Sequence, residues 1–129
     1  MSFTGKYQMV RKENFDEYMQ LHGLNNDLVK KGIDDMWVTE INQNDDFTLT
    51  KQFKNRSWTN TFTVGEHCEL TSVNGVKFMT TPTIEEGKLK IQYPLYLYTA
   101  EVNGDELIET NTIFTKKGSS ICYYYSKRI

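Results

Sequence analysis

The sequence predicts an all-β fold, a ten-stranded antiparallel up-and-down barrel with a helix-turn-helix between the first two strands. Three observations predict it. Aromatic residues make up 13% of the 129 residues and stand beside many Thr, Val and Ile, the types that suit pleated surfaces. Prolines are scarce, at 2. From Trp37 onward, apolar residues recur at alternate positions between polar turn clusters.

The first strand is expected over about Gly5 to Lys12. Asn14 then caps a helix whose Phe15, Tyr18, Met19 and Leu21-His22 have helical spacing, with Glu17 three residues after the cap. Gly23 ends it, and Asn26 to Gly32 reads as a second short helix with its own glycine stop. The alternating sets Trp37, Thr39, Ile41, then Phe47, Leu49, then Trp58, Asn60, Phe62 give three strands. Asn44-Asp45-Asp46 and Lys54-Asn55-Arg56 form the turns between them. Asn74-Gly75 predicts a two-residue hairpin turn, because both residues tolerate the positive φ of type I′. Glu85-Glu86-Gly87 and Asn103-Gly104-Asp105 supply further turns. Leu89, Ile91, Tyr93 alternate before Pro94, and Leu107, Glu109, Asn111, Ile113 alternate before Lys116-Lys117-Gly118. Ile121 to Arg128 is the last strand. Short strands so regularly spaced close into a barrel or a sandwich, and the succession of hairpins favours the barrel.

Composition narrows the function. The length suits one domain over residues 1–129, and no 18-residue apolar run or signal-like N-terminus is present. The net charge of −2 gives no drive toward nucleic acid. Cys68 and Cys122 are too few for a disulfide framework and are expected to be reduced, in a cytoplasmic protein. Catalytic signatures are absent. His22, His67 and the two cysteines lack zinc spacing, and neighbours His67 and Cys68 face opposite sides of a strand. Neither a phosphate-binding glycine loop nor a Gly-x-Ser-x-Gly elbow occurs. No enzyme, metal or cofactor is expected.

The opening Phe3-Thr4-Gly5-Lys6-Tyr7, then Asn14 to Met19, Val38 to Ile41, Asn60 to Glu66, Gly87-Lys88-Leu89 and the ending Ser126-Lys127-Arg128-Ile129 together resemble the intracellular lipid-binding (fatty-acid-binding) protein family. Phe62 to Glu66, Cys68-Glu69-Leu70 and Thr110-Asn111-Thr112 are similar to its liver-type members. Tyr93-Pro94 and Gly104 to Glu109 are similar to its ileal bile-acid-binding members. The resemblance runs through the whole chain in order. It implies a β-clam with a helical lid that carries fatty acids or bile acids through cytoplasm. At the two positions where many members hold a ligand carboxylate with Arg, this chain has Ala100 and Tyr124, with Ser126 two residues on.

In the register that the resemblance implies, Ile41, Leu49, Trp58, Asn60, Phe62, Leu70, Ser72, Tyr93, Tyr98, Ala100, Asn111, Ile113, Cys122, Tyr124 and Ser126 face inward. They mix aromatic walls with hydroxyl and amide groups, which suits a cavity of several hundred Å³ that buries hydrocarbon and orients one polar end. The same residues also suit an ordinary packed core. Phe15, Tyr18, Met19, Leu24 and Leu28 would form the lid's underside. Glu109 shares a face with Leu107 and Asn111, so its carboxylate points inward, toward a ligand hydroxyl or an internal water network. Lys30-Lys31, Lys54 and Arg56 could meet an anionic membrane transiently. The expected function is binding and transport of a bile acid or long-chain fatty acid by a monomer. A neutral, sterol-like or retinoid ligand, or a partner-binding scaffold with no ligand, is the alternative.

Overall fold

The computed structural model describes residues 3–15, 17–18, 37–53, 56–73 and 75–129. Both expected helices fall largely outside these residues. Phe15, Glu17 and Tyr18 are helical, and Tyr18 N donates to Asn14 O at 3.2 Å, the first helical bond. Asn14 thus sits where a cap was expected, but it takes a left-handed φ of 61°. Its side-chain amide donates to Ser120 Oγ at 2.8 Å and Ile121 O at 3.0 Å, tying the helix start to the last strand.

The strands are β1 (Gly5–Glu13), β2 (Val38–Gln43), β3 (Phe47–Gln52), β4 (Ser57–Phe62), β5 (Cys68–Thr71), β6 (Lys77–Thr80), β7 (Thr83–Glu85), β8 (Lys88–Gln92), β9 (Tyr96–Asn103), β10 (Glu106–Thr115) and β11 (Gly118–Arg128). All pairings are antiparallel. The order is β4-β3-β2-β1-β11-β10-β9-β8-β7 in the large sheet, with β5-β6 as a separate pair. The expected ten strands are present as eleven segments, because Thr81-Pro82 interrupts one of them. Proline has no N–H to give a ladder, so the chain pairs with β5 before it and with β8 after it. Pro82 itself is buried, and its carbonyl accepts Gly65 N at 2.7 Å.

Alternation decides what lies inside. Tyr7 and Met9, Thr39 and Ile41, Leu89 and Ile91, Leu107 and Glu109, and Cys122, Tyr124 and Ser126 are all buried, while their strand neighbours are more exposed. One face of every long strand therefore meets a shared interior, which is the β-clam.

Among the described residues no backbone ladder joins β4 to β5. Side chains bridge the seam instead. Asn60 Nδ2 and Trp58 Nε1 both donate to Thr71 O, at 2.9 and 2.7 Å, and Thr71 N donates to Asn60 Oδ1 at 2.9 Å.

Two turns show how local chemistry sets register. Glu86 and Gly87 have φ of 56° and 79°, the paired left-handed residues of a type I′ turn joining β7 to β8. The β5–β6 connection differs from the expected two-residue turn. Ser72 N donates to Val76 O at 2.8 Å and Gly75 N to Ser72 O at 2.9 Å, leaving three residues in the loop with Gly75 at φ 88°. The Ser72 hydroxyl also accepts Val76 N, so a serine, rather than the Asn-Gly pair alone, closes this hairpin. Asn74 lies outside the described residues.

Candidate ligand-binding site

Strand β3 brings Phe47, Leu49 and Lys51 to the interior by simple alternation. Lys51 stands opposite Thr39 of β2 and donates to its Oγ1 at 2.9 Å. It also donates to Glu109 Oε2, as does the Tyr98 hydroxyl. Glu109 belongs to β10, and β2, β1 and β11 separate that strand from β3 in the sheet. The ion pair therefore crosses the lumen. Its side chains are 8% and 0% exposed.

This pair is part of the lining of a cavity. Off its surface, Phe47 stacks on Phe62 with centroids 5.5 Å apart and Phe3 packs edge-on against Phe47. The cavity is lined by Tyr18, Trp37, Leu49, Lys51, Phe53, Trp58, Asn60, Val73, Tyr93, Tyr96, Tyr98, Glu109, Asn111 and Tyr124. Its volume is about 70 Å³, smaller than the several hundred expected. The reason is aromatic filling. Tyr93 stacks on Tyr96 at 4.9 Å, Tyr18 meets Tyr96 edge-on at 6.1 Å, and Trp37 lies 4.8 Å from Tyr124.

Electrostatics in this pocket follow from burial. Burial lowers the pKa of Lys51, and the adjacent Glu109 carboxylate works against that fall by favouring the ammonium. The Lys51 Nζ also lies 5.6 Å from the centre of the Trp37 ring and 5.9 Å from that of Tyr98. Desolvation holds the hydroxyls of Tyr96, Tyr98 and Tyr124 well above their ordinary pKa. It pushes the Cys122 thiol up to about 11. Three polar atoms of the lining have no hydrogen-bond partner among the described residues: Trp37 Nε1, Glu109 Oε1 and Asn111 Oδ1. They present one donor and two acceptors to whatever enters.

Of the inward-facing residues expected from the sequence, Leu49, Trp58, Asn60, Tyr93, Tyr98, Glu109, Asn111 and Tyr124 line the cavity. Ile41, Phe62, Leu70, Ser72, Ala100, Ile113, Cys122 and Ser126 are buried but lie off its surface, serving as core. From the lid, Tyr18 lines the cavity and Phe15 packs edge-on against Tyr124 at 6.4 Å. Met19, Leu24 and Leu28 lie outside the described residues. Glu109 is inward as expected, and Lys51 and Tyr98 both donate to its Oε2.

Lys51, Trp37, Phe53, Val73 and Tyr96 line the cavity without having been expected there. For Lys51 the signal was available, since Phe47, Leu49 and Lys51 share one phase. Ala100 and Tyr124 both face inward, so their positions hold no arginine, and among the described residues Lys51 is the buried cation. Cys68 and Cys122 are free thiols, and His67 is exposed with Nδ1 3.0 Å from Thr81 Oγ1. Among the described residues no cluster suited to a metal ion occurs.

A β-clam whose lumen holds an aromatic cavity with polar groups in its lining is the architecture of a family of binding proteins. Residues 1–127 match the lipocalin / cytosolic fatty-acid binding protein family, and the chain belongs to it. It is 39% identical to gastrotropin of Oryctolagus cuniculus over 115 residues, covering 88% of this chain and 90% of the relative. It is 36% identical to the liver fatty acid-binding protein of Sus scrofa over 131 residues, covering 100% of each. The crystal structure of zebrafish ileal bile acid-binding protein complexed with cholic acid superimposes with a TM-score of 0.86 at 37% identity, covering 98% of both chains.

Proposed function

We propose that this protein binds and carries an amphipathic lipid, a bile acid or a long-chain fatty acid, through the cytoplasm as a monomer without catalysis. The observation that carries the reading is the set of unpartnered polar atoms in an otherwise aromatic cavity. Trp37 Nε1 and Glu109 Oε1 are each buried without a partner among the described residues, and a ligand hydroxyl offers both the acceptor and the donor they lack. Hydrocarbon burial supplies the bulk of the affinity at about 0.8 kcal/mol per CH₂, against about 1 kcal/mol for one hydrogen bond. Names support the ligand class: relatives are a gastrotropin and a liver fatty acid-binding protein, and a structural neighbour holds cholic acid. Loading a lipid into a cavity of about 70 Å³ requires lining side chains such as the packed Tyr18, Tyr93 and Tyr96 to move aside.

Because Glu109 already neutralises Lys51, a ligand's own negative charge gains little. Palmitic acid and hexadecanol are expected to displace a fluorescent lipid with affinities within about tenfold, roughly 1.4 kcal/mol. A much tighter acid would show that Lys51 exchanges Glu109 for the ligand carboxylate. Failure of every lipid and dye to bind would leave the scaffold reading instead. The membrane contact expected at Lys30-Lys31 and Lys54 lies outside the described residues. Arg56 is engaged with Val73 O and lies 5.6 Å from the Phe53 ring centre.

A further inference from the structure

The cross-lumen lysine is more than a stand-in for a missing arginine. We propose that the Lys51 amine condenses reversibly with long-chain aldehydes in the cavity, so that the barrel captures lipid aldehydes as imines. The proposal rests on the reading that the cavity takes lipids.

Three groups at one place support it. Lys51, which carries a primary amine, is in the lining of a largely aromatic cavity and is itself buried. Burial favours its neutral, nucleophilic form, though Glu109 opposes this. Glu109 Oε2 touches the amine, and Oε1 of the same carboxylate has no partner among the described residues, so one group can take a proton and return it. Trp37 Nε1 is a buried donor without a partner among the described residues, and an aldehyde oxygen is an acceptor only.

The step balances without a co-reactant. Glu109 takes a proton from the Lys51 ammonium, and the freed nitrogen lone pair attacks the aldehyde carbon. The C=O π pair moves to oxygen, which takes the proton back from Glu109, giving a carbinolamine. Glu109 then removes a second proton from nitrogen and delivers it to the hydroxyl. Water leaves as the nitrogen lone pair forms C=N. Ammonium and aldehyde have become iminium and water, with net charge unchanged. The iminium keeps its carboxylate partner and its place between the Trp37 and Tyr98 rings, so condensation does not strand a buried charge.

The test treats the full chain with hexadecanal and sodium cyanoborohydride, which fixes any imine as a secondary amine, and maps the adduct by peptide mass spectrometry. At limiting aldehyde the adduct is expected at Lys51 at least about tenfold above any other lysine, and excess hexadecanol is expected to suppress it there alone. Lys51→Arg, checked for folding by circular dichroism, keeps the cation without the primary amine and should lose that adduct. If the variant fails to fold, the hexadecanol competition in the wild type still decides. Adducts spread over surface lysines, or a Lys51 adduct that hexadecanol leaves unchanged, would overturn the proposal. Lipid binding without a Lys51 adduct overturns it alone, whereas absence of any lipid binding overturns the carrier reading as well.

Discussion

At Lys51 and Glu109 the energetic logic of the cavity is concentrated in two side chains. Each charge is removed from water, and each is tolerable only because the other is present. Lys51→Met or Glu109→Gln alone should destabilise the protein by about 3–5 kcal/mol in urea unfolding, since each strands a buried group. The double variant should cost less than the sum, with a coupling of about 1–3 kcal/mol from the double-mutant cycle. Additive losses would mean that the two residues do not act as a pair. The sequence showed half of this arrangement. Glu109 stood out because a carboxylate on an apolar phase is unusual. Lys51 occupied an equally clear phase beside Phe47 and Leu49, but lysine is so commonly a surface residue that the pattern alone carried little weight.

At the scale of elements, the strands were legible and their ends were not. Side chains alternate between water and lumen with period two, so Leu89-Ile91-Tyr93 and Leu107-Glu109-Asn111-Ile113 reveal their own orientation. At strand ends alternation is not enough. Trp37, Phe53 and Tyr96 keep the phase of Ile41, Leu49 and Tyr98 but stand at strand ends, and Val73 lies in a turn, so which of them reach the cavity depends on how the barrel closes. The seam between β4 and β5 was hidden for the same reason, because Asn60 reads as one more polar inward residue. Asn60→Ala removes its bonds to both the N–H and the carbonyl of Thr71. The expected cost is about 1–3 kcal/mol, with the largest loss of native-state hydrogen-exchange protection at the Thr71 amide. Protection at Thr71 unchanged from wild type would show that the seam is held elsewhere.

For the molecule as a whole, the interior's concentration of tyrosine makes stability depend on alkaline pH. Tyr93, Tyr96, Tyr98 and Tyr124 all have raised pKa values in the folded state, chiefly through burial. Their contribution is complete below the unfolded value of roughly 10 and is lost as pH rises above it, because the unfolded chain releases those protons first. Lys51 acts in the opposite sense. Its folded pKa is lowered, so its burial becomes less costly as pH climbs toward the unfolded value of roughly 10.4. Four tyrosines outweigh one lysine. The urea midpoint should therefore fall between pH 9 and pH 11, by roughly these reference values, and a midpoint that rose instead would contradict the burial of these hydroxyls.

The break at Pro82 and the unladdered seam at the other margin of the β5–β6 pair have a mechanical consequence. A cylinder sealed all round by backbone hydrogen bonds has a fixed girth, and widening it means tearing a ladder. Here the chain joins the β5–β6 pair to the large sheet at both margins, and the ties across the seam to β4 are the side chains of Trp58, Asn60 and Arg56 rather than a ladder. Moving such a pair outward would leave its own single ladder intact. The girth of the interior is therefore set along this margin by side-chain ties rather than by a ladder.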